Sequence, residues 1–488
     1  MKDQNTLRHK LSKLAPASKT LDLSPENRKV LAGLAINYAE RFYDTLESKE
    51  AYNPFDESVN DLLNSSLGEN GISADEAISF LEHKIISPGL NSASGRNFGY
   101  IPGSSLSAAA IGDYLAAVTN RYASVYSSSP GAVVLEARLV HWMADLVGYP
   151  AGSGGYLASG GSIANFTAVV TARDDAGLKG EDYSRAVVYL TGQTHHCVDR
   201  ALNLSGLREC IRRYVPMDPS FRMMPEALNR QIIEDADNGL IPWLIVASAG
   251  STDSGAVDPL VDIGSVAQTH NLWFHVDAAY GGFFMLTSEG KKKLAGIELS
   301  DSVVLDPHKS LFLPYGTGAL LVKDVAKLVS SHAYHASYMK HASDEPGIFS
   351  PADISPELTK HFRALRMWLP LTLLGLKAFR AALEEKLLLA NYLWVEFSRM
   401  DDIEVSPPPQ LSIFMFRWIP EGGDPEILNR QLHDALLKDG RVFLSTTEAD
   451  GKFYFRVAVL SSATHLEEAE ILVQTVKDKI TEISRKPG

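Results

Sequence analysis

Side-chain chemistry is concentrated first in the segment LDPHKS, residues 305–310, where Lys309 stands beside His308 between DSVV and LFLPYGTGALLV. A lysine at a strand end is ordinarily a solvated terminus whose stem lies along apolar surface. It is also the side chain that condenses with a carbonyl group to give a Schiff base, a use that spares the chain the cost of burying an isolated ammonium. Four other segments carry groups such a lysine would need. YLASGGSIANFTAVVTARD sets Ser159, Gly160, Gly161 and Ser162 between an apolar run and a helix whose Ile163, Phe166 and Val170 share a face. Glycines allow close backbone approach, and the unpaired amides of a helix start attract a phosphate, although an ordinary strand-to-helix turn reads the same way.

LWFHVDAAYGGFF ends an apolar run at Asp277, followed by small Ala278 and Ala279. That carboxylate is either a plain helix cap or the partner of a protonated pyridine-type nitrogen, with the alanines leaving room for a flat ring. In TGQTHHCVDRAL, His195 comes just past AVVYLT, where an imidazole is a structural residue or else stacks on a planar cofactor and moves a proton. SAGSTDSGAVDPL puts Thr252 and Asp258 in a polar loop after WLIVAS. Taken together, a phosphate cradle, a pyridinium partner, a stacking imidazole and a lysine describe a site for pyridoxal 5'-phosphate.

The elements that must position these groups follow from periodicity. From about residue 155 to 325, short β-branched runs (AVVYLT, WLIVAS, LWFHVD, SVVL, GALLV) alternate with helical stretches such as PEALNRQIIEDADNG and VDIGSVAQTHN. This alternation predicts an α/β fold with a mostly parallel sheet, helices on both faces and a ligand beyond the carboxyl ends of the strands. Residues 1–95 carry helical spacing and no strand signal, with a helix starting at Ser24 and Pro25. A long helix is expected to open at SPELTKHFRALRMW, with Ser355 as cap and Pro356 in its first turn. The hairpin RVFLSTT and KFYFRVAVL, joined through an Asp-Gly turn, and the amphipathic LEEAEILVQTVKDKI then predict a small α+β domain. The divisions are 1–95, a helical and dimer-forming N-terminal segment; 96–372, the large cofactor-binding domain; and 373–488, the small domain.

The totals narrow the partners. The 488 residues are 45% hydrophobic and 22% charged, enough for a large core, and a net charge of −13 argues against a nucleic-acid groove or an anionic membrane surface. Two cysteines, no secretory leader and no apolar run approaching the roughly 20 residues of a membrane span predict a cytoplasmic protein. His332, His335 and His341 lie in the polar segment HAYHASYMKHASDEPGIFSPADIS without a cysteine or carboxylate at ligand spacing, so a mobile loop is expected there and no metal.

With these segments in view, and with NFGYIPGSS from residue 97, YSSSPGAVVLEARLVHWMADLVGYP and HFRALRMW beside them, the sequence resembles the group II pyridoxal phosphate-dependent amino-acid decarboxylases, closest in pattern to the aromatic-L-amino-acid decarboxylases. The resemblance covers most of the chain. It implies the aspartate-aminotransferase type of fold (fold type I) and a homodimer with the site at the subunit interface. It implies Lys309 as the Schiff-base lysine, Asp277 as the pyridine-nitrogen partner, His195 over the ring, and Gly161, Ser162, Asp306 and His308 near the phosphate. Thr252 and Ala279 fall against the cofactor, and Tyr338 on the loop tyrosine that protonates the substrate carbon.

Proton delivery to Cα yields an amine, whereas oxygen attack yields an aldehyde, and a chain that keeps Tyr338 and His195 is expected to decarboxylate simply. The substrate expected first is an aromatic L-amino acid. Tyr100, Gly103, His195 and Thr359 are placed around it, and Phe98 and the Trp142 segment are either further pocket walls or core. Gly103 stands where aromatic decarboxylases have a threonine, and Thr359 near where a glycine or serine tunes indole against phenol. Ile163 and Ser310 also depart from the pattern, which keeps a non-aromatic substrate open. No arginine pair marks a side-chain carboxylate site, and Arg363 and Arg366 are expected to be solvated or at a dimer contact. An aromatic aldehyde synthase, a lyase or desulfurase releasing no carbon dioxide, and a cofactor-binding protein without turnover are the competing classes.

Overall fold

Ser24 and Pro25 begin a helix as expected: Ser24 Oγ accepts from Asn27 N at 3.2 Å and Pro25 occupies the first helical position. The computed structural model describes residues 2–485 apart from 56, 65, 66, 102, 105, 334–347 and 450, and the chain divides into two compact units, Met1–Asn91 and Ser92–Gly488. The first unit holds the helices Lys2–Ser18, Pro25–Asp44 and Ala74–Phe80, together with a two-residue antiparallel ladder between β1 (Tyr52–Asn53) and β2 (Gly89–Leu90). That ladder corrects the expectation of no strand before residue 90; two residues are too few to show alternation.

In the second unit a seven-stranded sheet is built from β3 (Gly154–Ala158), β4 (Ala186–Leu190), β5 (Ile211–Tyr214), β6 (Ile241–Ser248), β7 (Trp273–Asp277), β8 (Ser302–Leu305) and β9 (Gly318–Val322). Their order is β3-β9-β8-β7-β6-β4-β5. Only β9 runs against the others, pairing antiparallel with both β3 and β8. Every residue of β4, β8 and β9 is buried, which is why these runs read as continuously apolar rather than alternating. Alternate residues still go to opposite faces. Val187, Tyr189, Ile245, Val276 and Val303 join one core, and Val188, Leu190, Leu244, Val246 and Val304 join the other.

β3 forms one edge of this sheet, and its open side is closed by a buried ion pair. Lys360 Nζ lies 2.6 Å from Glu136 Oε1 and donates to Leu157 O at 3.0 Å, while Leu157 N donates to Glu136 Oε1 at 2.9 Å. Those side-chain bonds explain why the long helix does not open at Ser355. Residues 355–362 run out as an irregular segment that carries Lys360 into this edge, and Ser355 Oγ donates to Pro351 O instead of capping. The helix spans Arg363–Ser398 and is broken at Gly375, whose φ of 72° is left-handed.

A second sheet follows, in the order β10 (Ile403–Val405), β11 (Ile413–Trp418), β13 (Lys452–Ala458), β12 (Ser445–Ala449), antiparallel throughout. The expected hairpin is β12–β13, with Ala449 opposite Lys452. Its core stacks Phe397 on Phe416 at 4.3 Å and Phe416 on Phe455 at 5.1 Å between ring centroids. Residues near 98 add to this sheet, since Phe98 N donates to Phe443 O and Ala458 N to Phe98 O, each at 2.9 Å. The fold is that of the fold type I, aspartate-aminotransferase-like enzymes, a mostly parallel sheet with a smaller α+β part.

Candidate active site

The carboxyl ends of β3, β4, β6, β7 and β8 open on one cavity of about 380 Å³, inside the range of about 300–1,000 Å³ typical of small-molecule sites. Register sets the alignment: Ser248 of β6 lies opposite Asp277 of β7, and Asp277 opposite Val304 of β8. Gly161, Ser162, His195, Thr252, Asp277, Ala279, Asp306, His308 and Lys309 all line the cavity.

Lys309 sits in a single helical turn, Pro307–Ser310, that follows β8. Its Nζ is 3.2 Å from Asp306 Oδ2. Burial works to lower this ammonium, but the carboxylates of Asp306 and Asp277 outweigh it and hold the lysine above its ordinary value. Asp306 is 1% exposed, and its other oxygen, Oδ1, has no partner among the described residues. His308 Nδ1 lies 2.6 Å from the backbone oxygen of Thr317, so Nδ1 carries the proton and Nε2 is left as an acceptor. Burial lowers its pKa.

Asp277 ends β7 with both oxygens engaged: Oδ1 accepts from Ala279 N at 3.1 Å, and Oδ2 from Asn165 Nδ2 at 3.1 Å. His195 precedes the helix Cys197–Leu204 and takes Cys197 N on its Nδ1 at 3.3 Å. Burial pushes its pKa down against the pull of Asp277, favouring the neutral ring.

The glycine turn packs directly on Asp306. A Cβ on Gly161 would stand 2.9 Å from Asp306 Oδ2, and one on Gly318 would stand 2.6 Å from Gly160 C and 2.7 Å from Asp306 Oδ1. The helix Gly161–Asp175 starts there and points its first amides at the cavity. These observations fit pyridoxal 5'-phosphate: an amine to bond its aldehyde, a fixed carboxylate for its ring nitrogen, glycines that leave the cradle free of Cβ atoms and a helix start for its phosphate.

Other expected site residues lie elsewhere. Tyr100, Gly103 and Thr359 are not among the cavity-lining residues. Gly103 N donates to Tyr315 OH at 3.2 Å, next to Gly316 of the lining, whereas Thr359 is exposed. Tyr338, with His335 and His341, lies outside the described residues. Asp258 does not line the cavity; it closes its loop by accepting from Met223 N and Ser248 N, each at 2.7 Å. Phe98 belongs to the core of the second sheet, and Trp142 stacks on Phe283 at 6.2 Å. Of the two expectations for Arg363 and Arg366, solvation or a dimer contact, the first is corrected, since both are buried: Arg363 pairs with Glu357 at 2.8 Å, and Arg366 pairs with Asp113 and donates to Tyr315 O at 2.8 Å.

The sequence reading missed Asn165 and Cys197, both in the lining, and Arg456. Asn165 is signalled by a polar amide four residues after Gly161 on an otherwise apolar helix face, and Arg456 by a charge inside the apolar strand KFYFRVAVL. Arg456 is not among the cavity-lining residues; it is 3% exposed and donates to Ser445 Oγ at 2.8 Å and to Tyr100 O, but its Nε has no partner among the described residues.

Comparison with known proteins agrees with this chemistry. Residues 59–419 match the pyridoxal-dependent decarboxylase conserved domain. An aromatic-L-amino-acid decarboxylase of Bacillus atrophaeus is 31% identical, over 96% of this chain and 98% of that one. Tryptophan decarboxylase 2 of Oryza sativa subsp. japonica is 29% identical, over 92% and 94%. The crystal structure of Oryza sativa TDC with PLP and tryptamine superposes with a TM-score of 0.90 at 26% identity, covering 95% of this chain and 99% of that one.

Proposed function

The chain belongs to the pyridoxal-dependent decarboxylases, and from that premise we propose that it removes carbon dioxide from an aromatic L-amino acid to leave the amine. It is a pyridoxal phosphate-dependent carboxy-lyase acting on an amino acid. The observation that carries the residue assignments is the convergence of Lys309, Asp277, His195 and the Gly161–Ser162 helix start on one cavity.

The cofactor supplies an electron sink for the pair left on Cα when carbon dioxide departs. Lys309 would bond the cofactor's aldehyde carbon with loss of water, and Asp306 Oδ2, 3.2 Å away, holds the ammonium in place beforehand. Asp277 would hold a proton on the ring nitrogen. His195, kept neutral by burial, packs against the ring and shuttles protons. The helix start at Gly161 and Ser162 would hold the phosphate, with His308 beside it and Thr252 and Ala279 along the cofactor. Arg456 is a buried guanidinium without an ion pair among the described residues, and it suits the α-carboxylate of the substrate. We assign Cα protonation to Tyr338 and the substrate side chain to the region of Tyr100, Gly103 and Thr359.

We also propose a homodimer with the site at the subunit interface. In the first unit Leu7, Leu11 and Leu14 are each more than half exposed along one helix, an apolar stripe that a second copy would cover. The segments 1–95, 96–372 and 373–488 are our working division into dimer-forming, cofactor-binding and small domains. A cytoplasmic location accords with two free cysteines and with no described helix long and apolar enough to cross a membrane.

The test is release of carbon dioxide and hydrogen peroxide by the cofactor-loaded protein across a panel of L-amino acids, with Lys309→Ala as control. Carbon dioxide with the matching amine, greatest for aromatic side chains and lost in the control, is expected. Peroxide with aldehyde as the main products, or a preference for a non-aromatic side chain, would overturn the reading.

A further inference from the structure

Asp277 is one end of a buried chain of side chains. Trp273 Nε1 donates to Ser302 Oγ at 2.9 Å, Ser302 Oγ lies 2.7 Å from His275 Nδ1, His275 Nε2 lies 2.8 Å from Asn165 Oδ1, and Asn165 Nδ2 lies 3.1 Å from Asp277 Oδ2. Trp273 is 6% exposed, Ser302 0%, His275 1% and Asn165 1%, so no member can turn to solvent for another partner.

The chemistry of the groups allows one consistent set of donors. An indole N–H only donates, and an ionised carboxylate only accepts. Ser302 therefore accepts from Trp273 and has its own proton for His275 Nδ1. The imidazole must then carry its hydrogen on Nε2 and donate to Asn165 Oδ1. That in turn turns the amide nitrogen of Asn165 toward Asp277 Oδ2 and toward Gly161 O, 3.0 Å away. Moving the imidazole proton to Nδ1 would set two acceptors face to face at Asn165. Flipping the amide would aim its oxygen at a carbonyl and a carboxylate. Burial drives the pKa of His275 down to about 4, which keeps the ring neutral and the pattern intact.

We propose that Asn165 and His275 are positioning residues for the cofactor: the relay from Trp273 fixes the Asn165 amide, and that one amide holds both the Asp277 carboxylate and the Gly161 carbonyl at the start of the phosphate-binding helix. The inference rests on the assignment of Asp277 to the ring nitrogen made above. It links the two ends of the cofactor site through a side chain that need not touch the reacting atoms.

The experiment compares Asn165→Ala, His275→Leu, His275→Gln and Asp277→Ala. Each is measured as apoprotein for pyridoxal phosphate affinity and melting midpoint, and as loaded enzyme for kcat and KM separately. Loss of a hydrogen bond to a charged group corresponds to roughly a 10- to 100-fold effect. Asn165→Ala and His275→Leu are each expected to weaken cofactor binding by that factor and to lower kcat, with KM for the amino acid within about 3-fold. His275→Gln, whose amide can donate to Asn165 Oδ1, should recover most of the affinity. The double variant Asn165→Ala/His275→Leu should be little worse than either single, because both cut one chain.

Cofactor affinity within about 3-fold of the parent in Asn165→Ala overturns the inference, and so does a His275→Gln protein as impaired as His275→Leu. If His275→Leu does not yield folded apoprotein, Asn165→Ala and His275→Gln still decide it. Asp277→Ala separates the two levels. Should it lose affinity and turnover while the relay variants keep them, the relay alone is wrong; should it keep both, the assignment of Asp277 fails and the relay falls with it.

Discussion

Replacing Lys360 with methionine is expected to be among the most destabilising single changes in the chain, because it strips one half from the ion pair that closes the edge of β3. Lys360 and Glu136 are both buried, and Glu136 Oε2 already lacks a partner among the described residues. In the variant, Glu136 keeps a buried charge with no counter-ion. Removing one partner of a buried pair costs roughly 3–5 kcal/mol, against a total stability of about 5–15 kcal/mol for a typical folded protein. Replacing both residues by methionine removes both charges. What then remains is the exposure of Leu157 N and O to apolar surroundings, about 1–3 kcal/mol for each group left unsatisfied. Arg363 Nη1, 3.4 Å from Leu157 O, still reaches the carbonyl.

The double variant should therefore be more stable than Lys360→Met alone. Glu136→Met has its own signature. Burial lowers the pKa of Lys360, and without Glu136 the neutral lysine fits best, so this variant should gain stability as pH rises and lose it as pH falls. Urea midpoints of the parent, both singles and the double close a thermodynamic cycle. A Lys360→Met protein that unfolds at the parent's urea concentration, or a double variant less stable than Lys360→Met, would refute the idea that this pair holds the edge.

Gly318→Ala places a Cβ 2.6 Å from Gly160 C and 2.7 Å from Asp306 Oδ1; such overpacking costs roughly 1–3 kcal/mol. It should show as weaker pyridoxal phosphate binding, measured by titrating apoprotein, since the strain falls on the glycine turn itself. His275 has a folded pKa depressed to about 4 from an ordinary 6.5. Its contribution is fully present above about pH 6.5 and is lost as pH falls toward 4, a span worth up to about 3 kcal/mol. Denaturation curves between pH 7 and pH 4 should be flatter for His275→Gln than for the parent. Arg456→Met should raise KM for the amino acid by about 10-fold or more, the weight of a hydrogen bond to a charged group. Steady-state kinetics with the amino acid, alone and with its methyl ester added as a competitive inhibitor that has no carboxylate to lose, check this, because the ester's inhibition constant should feel the substitution far less.

Much of the large sheet was legible in the sequence because each of its motifs is local. Lys309, Asp277 and the Gly161–Ser162 turn each sit within a few residues of an apolar run, and parallel strands deliver all their carboxyl ends to one edge. The groups that needed tertiary information were hidden. Asn165 is unremarked in a helix until β7 brings His275 and Asp277 against it. Arg456 looked like part of a hairpin because the threading of residues 97–100 beside β13 is a contact over more than 350 positions. The start of the long helix was misplaced because Ser355 and Pro356 satisfy the local rules for a cap, while the tertiary demand of the β3 edge for Lys360 keeps residues 355–362 irregular.

The reversal of β9 has a mechanical consequence for the lysine. Every other parallel strand that reaches the cavity sends its chain away into a crossover. The segment from Asp306 to Thr317 leaves β8 and re-enters the same sheet at the same edge through β9, with His308 N and Nδ1 both fastened to Thr317 O. It is a bracket pinned at both feet to the central sheet. Lys309 thus rides on a loop held at both ends, and chain insertions should be poorly tolerated between β8 and β9.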